Sequence, residues 1–348
     1  MTDHNPKILI SGSAGFLGLC LSRKLLEKGE THLRCLVRSV STIDRLENLK
    51  SAFPGARVEI LQGNLLNSKN AEEAVKGIDV VYHCAAEMIA PIAAMCMNTV
   101  VATRNLLEAI VKEGRIKRFV HVSSFAVYGT APLQRRAVVS EETLLEPNPK
   151  KRDDAYTYTK LKQEQLVWKY KERYGLPVVV VRPGVVYGPG GAQISSRVGK
   201  TLLGYFLNIG RRNLLPLSYV DNCADTIILA GTVPNIEGEV FNVHDSDLIT
   251  CDQFLRRYRE RVRRMKCIRT PYSIFWLFSW LVDRYSRYSK RQIPPALNPY
   301  KTASIWKGTR FDNAKIIKVL GWRQGVSTKE GLERHFEHCR RINAGQIN

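Results

Sequence analysis

No stretch of the 348 residues reaches the roughly eighteen consecutive apolar side chains that a membrane-spanning helix requires. The opening MTDHNPK leads straight into a strand pattern and carries none of the regions of a secretory leader, so the chain is expected in the cytoplasm. The eight cysteines, at 20, 35, 84, 96, 223, 251, 267 and 339, include no CxxC pair and no Cys/His spacing that would build a zinc site. No metal centre is expected, and the thiols read as reduced and mostly buried. Acid is the scarce charge: 32 Asp and Glu stand against 53 Lys and Arg, for a formal net charge of +21. Residues 251–348 hold 22 of the basic residues and only 7 of the acidic ones, so most of the excess lies there. Such a surplus points to an anionic partner surface or to a solvated basic face without a partner. A specific nucleic acid is not expected, because no recognition module or aromatic-interleaved sheet motif accompanies the charge.

What the sequence does have is a regular alternation. Short β-branched runs at Lys7–Ser11, His32–Val37, Arg57–Leu61, Val80–Ala85, Phe119–Ser123 and Val178–Arg182 read as strands. Amphipathic segments such as Leu17–Glu27, Met95–Val111 and Tyr156–Tyr174 read as the helices between them. This alternation predicts an α/β protein with a doubly wound parallel sheet covered on both faces. Beyond Pro183 the rhythm gives way to Gly188, Pro189, Gly190 and Gly191, and then to helical and short-strand pieces, which predicts a smaller C-terminal α+β subdomain.

The first strand runs into Gly12-Ser13-Ala14-Gly15-Phe16-Leu17-Gly18 and then into a helix. A tight turn, a close backbone approach to a pyrophosphate and close packing of helix on strand each favour glycine, and the helix N-terminus then faces the phosphates. Three spaced glycines are weak evidence alone, but strand before and helix after make this a Rossmann-type dinucleotide loop. Gly12, Gly15, Phe16, Leu17 and Gly18 are the expected cofactor contacts. The expected organisation is a dinucleotide-binding domain over 1–183, with parts of 220–245 returning to it, and a substrate-binding subdomain over 184–348. An acidic residue about twenty positions past the loop would select NAD through a ribose hydroxyl. Arg38 stands there instead, with Ser39 beside it and Arg45 nearby. A guanidinium pairs two oxygens of a 2′-phosphate at once, so NADP(H) is the preferred cofactor. NAD(H) is the alternative, should Arg38 only cap the strand and stack on adenine.

Tyr156 and Lys160, four residues apart at the start of a helix pattern, share one face. A phenol with a pKa of about 10 needs a nearby cation to exchange protons at neutral pH, and Lys160 is expected to supply it. A YxxxK match by itself carries little weight. Its place after the fifth strand carries more, because the end of that strand brings Ser124 to the sheet edge where the cofactor lies, and a hydroxyl there holds a substrate oxygen. Tyr158 is expected to point elsewhere and pack.

Together with Gly63-Asn64-Leu65, His83-Cys84-Ala85-Ala86, Asn98-Thr99-Val100, Ser123-Ser124 and Arg182-Pro183-Gly184-Val185-Val186-Tyr187-Gly188-Pro189, these motifs make the sequence resemble an extended short-chain dehydrogenase/reductase over essentially its whole length. The resemblance implies an NAD(P)-dependent oxidoreductase with Ser124, Tyr156 and Lys160 as its catalytic group, Lys160 also bonding the ribose. It implies that Asn64 and Leu65 border the adenine, that Ala85 and Ala86 lie along the cofactor, and that Asn98, Pro183, Val185 and Val186 flank the nicotinamide end. It further implies a homodimer through the Met95–Val111 and Tyr156–Tyr174 helices. Asn64 stands where the family usually has Asp, and Ala102 where Gly is usual. Sugar epimerases and dehydratases of this family usually carry Asn in the segment of Val185 and Arg before the strand ending in Tyr219-Val220-Asp221-Asn222, both to grip a diphosphate; this chain has Val185 and Leu215. With the stretch from Pro299-Tyr300 to Leu320-Gly321-Trp322, the pattern is closer to the 3β-hydroxysteroid dehydrogenase-like branch.

Residues Pro271–Val282 are apolar almost all round and too short to span a bilayer, and Arg256–Arg269, Arg284, Arg287, Lys290 and Arg291 flank them. Within the basic and apolar stretch 251–291, such a segment is either a helix lying in an anionic membrane interface or a buried lid over the site. Either favours a greasy small-molecule substrate. The leading expectation is reduction or oxidation of a 3-oxo or 3-hydroxy group on a lipid, sterol-like or long-chain molecule, in the cytoplasm or peripherally on the inner membrane face. The alternative is a nucleotide-sugar epimerase or dehydratase with transient hydride transfer to tightly bound NAD. A nucleotide-sensing scaffold would have no need of Ser124, Tyr156 and Lys160 together.

Overall fold

The computed structural model describes residues 6–39, 43–289, 292 and 297–346; Lys290 and Arg291 lie outside the described residues. In chain order the strands are β1 (Ile8–Ser11), β2 (His32–Val37), β3 (Arg57–Gln62), β4 (Val80–His83), β5 (Arg118–Val122), β6 (Val138–Val139), β7 (Val178–Pro183), β8 (Val185–Tyr187), β9 (Gly199–Leu202), β10 (Tyr205–Asn208), β11 (Leu217–Tyr219), β12 (Val240–Val243), β13 (Cys267–Arg269) and β14 (Arg310–Phe311). The helices are α1 (Phe16–Glu27), α2 (Ile43–Ala52), α3 (Ser68–Val75), α4 (Ile92–Met95), α5 (Ala102–Glu113), α6 (Pro149–Arg152), α7 (Ala155–Tyr174), α8 (Val220–Thr232), α9 (Cys251–Arg261), α10 (Tyr272–Tyr288), α11 (Pro299–Trp306), α12 (Ala314–Leu320) and α13 (Thr328–Asn343).

Among the described residues, seven strands form one sheet in the order β12-β7-β5-β4-β1-β2-β3, and every pairing in it is parallel. Burial on both faces fixes its register. Ile8 and Ile10 join the core shared with α1 and α8, whereas Leu9 joins the core shared with α3 and α5. β7 divides in the same way, with Val179 and Val181 on one face and Val178 and Val180 on the other. A slip of one residue would exchange the two faces of a strand, and burial on both is why these strands read as unbroken apolar runs. The sheet is the doubly wound, Rossmann-type α/β architecture that the alternation predicts. Its strand order reverses between β1 and β4, which opens a crevice at their C-terminal ends.

One expected helix differs in kind. Met95–Val111 is not a continuous α-helix: α4 ends at Met95, Cys96–Val101 wind as a π-helix, and α5 starts at Ala102. The wider turn changes the direction in which its side chains leave the axis, and such turns recur at functional sites.

After β7 the chain builds a smaller layer, in which β8 pairs with β11, and β9, β10 and β13 form a three-stranded sheet. Ile209, Phe275, Leu297 and Trp306 make a separate apolar cluster that seats α10 beside α11. Phe275 meets Trp306 edge-on at 5.2 Å, and the Ser279 and Thr302 hydroxyls bond at 2.7 Å. The apolar segment opens α10, which buries Phe275, Ser279 and Ser286 but exposes Ile274, Leu277, Phe278, Leu281, Tyr285 and Tyr288. Those six follow a three- and four-residue spacing and form one outward stripe, while Trp276 and Trp280, also exposed, lie off it. No described helix is long and apolar enough to cross a membrane.

Candidate active site

Glycines shape the crevice at the end of β1. Gly12 adopts a φ of +74°, and a Cβ there would sit 3.0 Å from the Ala85 backbone. A Cβ on Gly18 would lie 2.1 Å from the Gly12 carbonyl oxygen, so this buried glycine lets α1 close on the loop rather than touching a ligand. α1 begins without a side-chain cap and without an acidic residue in its first turn, which leaves its free N–H groups to an anion. The crevice, of about 300 Å³, is lined by Gly12, Gly15, Arg38, Asn64, Leu65, Ala85, Ala86 and Asn98, all expected from the sequence. Asn98 reaches it from the π-helical turn.

Other expected contacts are not brought there. Phe16 faces Gly191, where a Cβ would stand 3.0 Å from its ring, and Leu17 packs against the core. Pro183 ends β7, and Val185 and Val186 form β8 against the same core, outside the crevice lining. Glu87, unforeseen from the motifs, also lines the crevice and lies 3.4 Å from both Arg38 and the Asn98 amide. The Arg38 side chain is 58% exposed, so this ion pair is weak and open to replacement by a more highly charged anion. The glycine cradle, the uncapped helix start and the open guanidinium fit a dinucleotide. Among the described residues no cluster of His, Cys, Asp and Glu is placed to hold a metal ion.

α7 carries Tyr156 and Lys160 one turn apart. Asp154, just before it, accepts a hydrogen bond from the Thr157 hydroxyl at 2.6 Å. Burial raises the pKa of the Tyr156 phenol, a hydrogen bond with the Ser124 hydroxyl opposes the rise, and Asp154 adds to it. Ser124 is fixed in turn by accepting the Ala126 amide at 3.1 Å, at the start of a short 3-10 turn after β5. Ser124 therefore lies close enough to Tyr156 to act on its phenol. Lys160 does not act on the phenol, contrary to the expectation that it lowers the tyrosine pKa. Its ammonium is drawn toward β5, donating to the Val122 carbonyl at 2.7 Å and to Gln163 Oε1 at 2.6 Å. Burial pulls its pKa down to about 8.

Gln163 extends this polar line. Its amide donates to the Thr103 hydroxyl at 2.8 Å and to the Ala85 carbonyl at 3.2 Å, and lies 3.1 Å from His83 Nε2. His83 Nδ1 meets the Ser11 hydroxyl at 2.6 Å, and burial with the nearby Lys160 charge pushes the ring down to about 3, so it is neutral. The next residue, Glu164, forms a buried ion pair with Arg182 of β7 and accepts the Ser123 hydroxyl at 2.5 Å. Arg182 also donates to the Tyr128 hydroxyl at 2.9 Å, and Tyr128 donates to Asn242 of β12 at 2.5 Å. This network ties α7 to three strands and sets the position of its Tyr and Lys.

Tyr156 opens on a second cavity, of about 930 Å³, whose walls include Met88, Ile89, Ile92, Met95, Lys150 and Lys301. Tyr158 lines the same cavity, so it is a wall residue of the site and not a packing residue turned elsewhere. Met95 and Cys96 border this cavity while Asn98 borders the crevice, which makes the two neighbours.

The sequence profile of the NAD dependent epimerase/dehydratase family matches residues 8–243. The chain belongs to this family. It is an NAD-dependent enzyme of the extended short-chain dehydrogenase/reductase type. A 3 beta-hydroxysteroid dehydrogenase/Delta 5-->4-isomerase of Mycobacterium tuberculosis strain H37Rv is 27% identical over a 356-residue alignment that covers 95% of this chain and 90% of the relative. An uncharacterized UDP-glucose epimerase of Bacillus subtilis, YtcB, is 33% identical over 195 residues, 53% of this chain and 57% of that protein. The crystal structure of UDP-glucuronic acid 4-epimerase from Bacillus cereus in complex with NAD superposes with a TM-score of 0.71 at 22% identity, over 97% of this chain and 99% of that one. In this extended short-chain dehydrogenase/reductase the crevice, whose lining fits a dinucleotide, and the Tyr156 cavity are both bordered by the Cys96–Val101 turn.

Proposed function

We propose that the enzyme transfers hydride between a nicotinamide cofactor, NADPH by preference, and a 3-oxo or 3-hydroxy carbon of a lipid, sterol-like or long-chain substrate. The carrying observation is that Tyr156, with Ser124 near enough to act on its phenol, opens on a largely apolar cavity beside the glycine crevice. The two positions that would grip a sugar diphosphate support the same reading, since Val185 packs on the core and Leu215 is fully buried in it. Residues 1–183, with parts of 220–245, hold the dinucleotide, and 184–348 shape the substrate side. When bound, the cofactor supplies or accepts the hydride. Tyr156 gives its proton to the substrate oxygen and Ser124 donates a second hydrogen bond to that oxygen. Lys160, with one donor left after Val122 and Gln163, bonds the ribose. Arg38 takes the 2′-phosphate, displacing Glu87.

The outward stripe of α10 and the basic surplus of the last third support a peripheral seat on an anionic bilayer, at the inner face of the cytoplasmic membrane. A homodimer through α5 and α7 belongs to the same reading. The test is NADPH consumption with 3-oxo lipids, steroids and nucleotide sugars, with and without anionic vesicles. The proposal requires turnover of a 3-oxo lipid or steroid; net consumption with none of them removes it.

One observation favours the nucleotide-sugar reading. Arg197 stands 5.6 Å over the Phe311 ring with no carboxylate in ion-pair reach among the described residues, and burial and Arg152 pull its pKa down to about 10. Phe311 in turn stacks at 5.2 Å on Phe125, next to Ser124, so this cation lies near the site. A phosphate would compensate it. That reading requires NAD to co-purify and no net cofactor oxidation.

A further inference from the structure

A groove of about 1160 Å³ runs between α10, α6 and α11, and it shares Lys150 and Asp153 with the cavity that holds Tyr156. The two spaces therefore adjoin, and each is as large as the roughly 300–1,000 Å³ that a whole small ligand occupies. A compact molecule at Tyr156 would leave most of that length to water. The groove is walled by Trp276, Trp280 and Tyr285 of α10 and by Tyr300 of α11. Leu281, Tyr285 and Tyr288 belong both to this wall and to the outward stripe of α10, so the groove opens beside the apolar face.

Its charges are one-sided. Lys150, Lys151, Arg284 and Arg287 line it against Asp153 and Asp283, and Asp283 is already paired with Arg287 at 2.7 Å. Arg284 lies 5.9 Å over the Trp280 ring and Lys151 5.4 Å over that of Tyr300, so aromatic faces and not carboxylates hold these two cations. At the junction, Asp153 takes a φ of +52°, and its carbonyl accepts the Lys301 ammonium at 3.0 Å. The strained turn thereby brings a further cation to the point where groove and cavity meet.

We infer that this trough binds an elongated amphiphile, whose single phosphate or carboxylate sits among Lys150, Lys151 and Arg284 while its hydrocarbon runs along the α10 aromatics. The groove stands on its own residues; that the molecule held there is also the substrate of Tyr156 rests on the oxidoreductase reading. A neutral sterol would leave the cations without a counter-charge, and inorganic phosphate would leave the aromatic walls uncovered.

The test is a titration of the full chain with dodecyl phosphate below its micelle concentration, read by tryptophan fluorescence, with dodecyl maltoside and inorganic phosphate as comparators. Dodecyl phosphate is expected to bind at least about tenfold more tightly than either comparator, and Trp276→Phe with Trp280→Phe removes most of the signal. Lys150→Glu with Arg284→Glu, both on exposed side chains outside the cofactor crevice, weakens dodecyl phosphate by about tenfold or more and leaves NADPH affinity unchanged. Equal binding of the phosphate and maltoside amphiphiles, or no effect of the charge reversal, overturns the inference. Binding is read without turnover, so a failure to oxidise NADPH counts against the oxidoreductase reading alone.

Discussion

A phenol whose pKa is raised by burial holds its proton at neutral pH, which suits Tyr156 to donating a proton during carbonyl reduction more than to accepting one. Tyr156→Phe is expected to lower kcat by roughly 10²–10⁴-fold while NADPH affinity, read by fluorescence titration, stays unchanged. Retained turnover would remove the proton-donor role. Lys160 sets a pH dependence of opposite sign to a carboxylate: with a pKa pulled down to about 8 it is charged below that value and neutral above it. If its ammonium bonds the ribose, kcat/KM for NADPH falls as pH rises through about 8, and Lys160→Arg moves the fall to higher pH. An identical profile for the two proteins would contradict this. At this scale the glycine loop was legible because its requirements are local: a positive φ at Gly12 and no room for a Cβ at Gly18. Glu87 and Gln163 were not, because their partners come from strands and loops far away in sequence, and nothing in the spacing announces where those meet.

At the scale of elements, α7 stays in place through Glu164 and Arg182, both buried with hydrogen-bonded partners. Removing one partner leaves a charge in a medium that solvates it poorly. Glu164→Leu should therefore cost about 3–5 kcal/mol of stability by chemical denaturation, and a loss below about 1 kcal/mol would show that the pair does not anchor the helix. The start of α7 was readable from the YxxxK spacing, but the position of Lys160 was not, since two of its three donors are taken by Val122 and Gln163. The break at Cys96–Val101 was equally hidden, because a π turn keeps the apolar character of the helix it interrupts. The α10 segment was legible as apolar, yet only packing against Ile209 and Trp306 decides which of its faces is left outside.

At the scale of the whole molecule, the parallel, doubly wound sheet was legible because strands and helices alternate, whereas the order of its strands was not read from the sequence. The smaller layer was less legible, since its short strands have no comparable periodicity. In the proposed peripheral seat, a net charge of +21 would draw the chain toward an anionic bilayer and the α10 stripe would insert there. Co-sedimentation is expected with phosphatidylserine vesicles and not with phosphatidylcholine vesicles, and it should weaken as salt rises. Leu277→Asp with Leu281→Asp, both side chains being 52% exposed, should abolish it without unfolding the chain. Binding that ignores lipid charge, or survives both substitutions, would contradict the membrane seat. Net oxidoreduction requires that hydride leave the cofactor for good. The direct measurement is mass spectrometry of the product formed with NADPH deuterated at its reactive carbon. One deuterium in the product for each NADPH oxidised is the predicted result; isomerised product without label and with no net NADPH oxidation would contradict it.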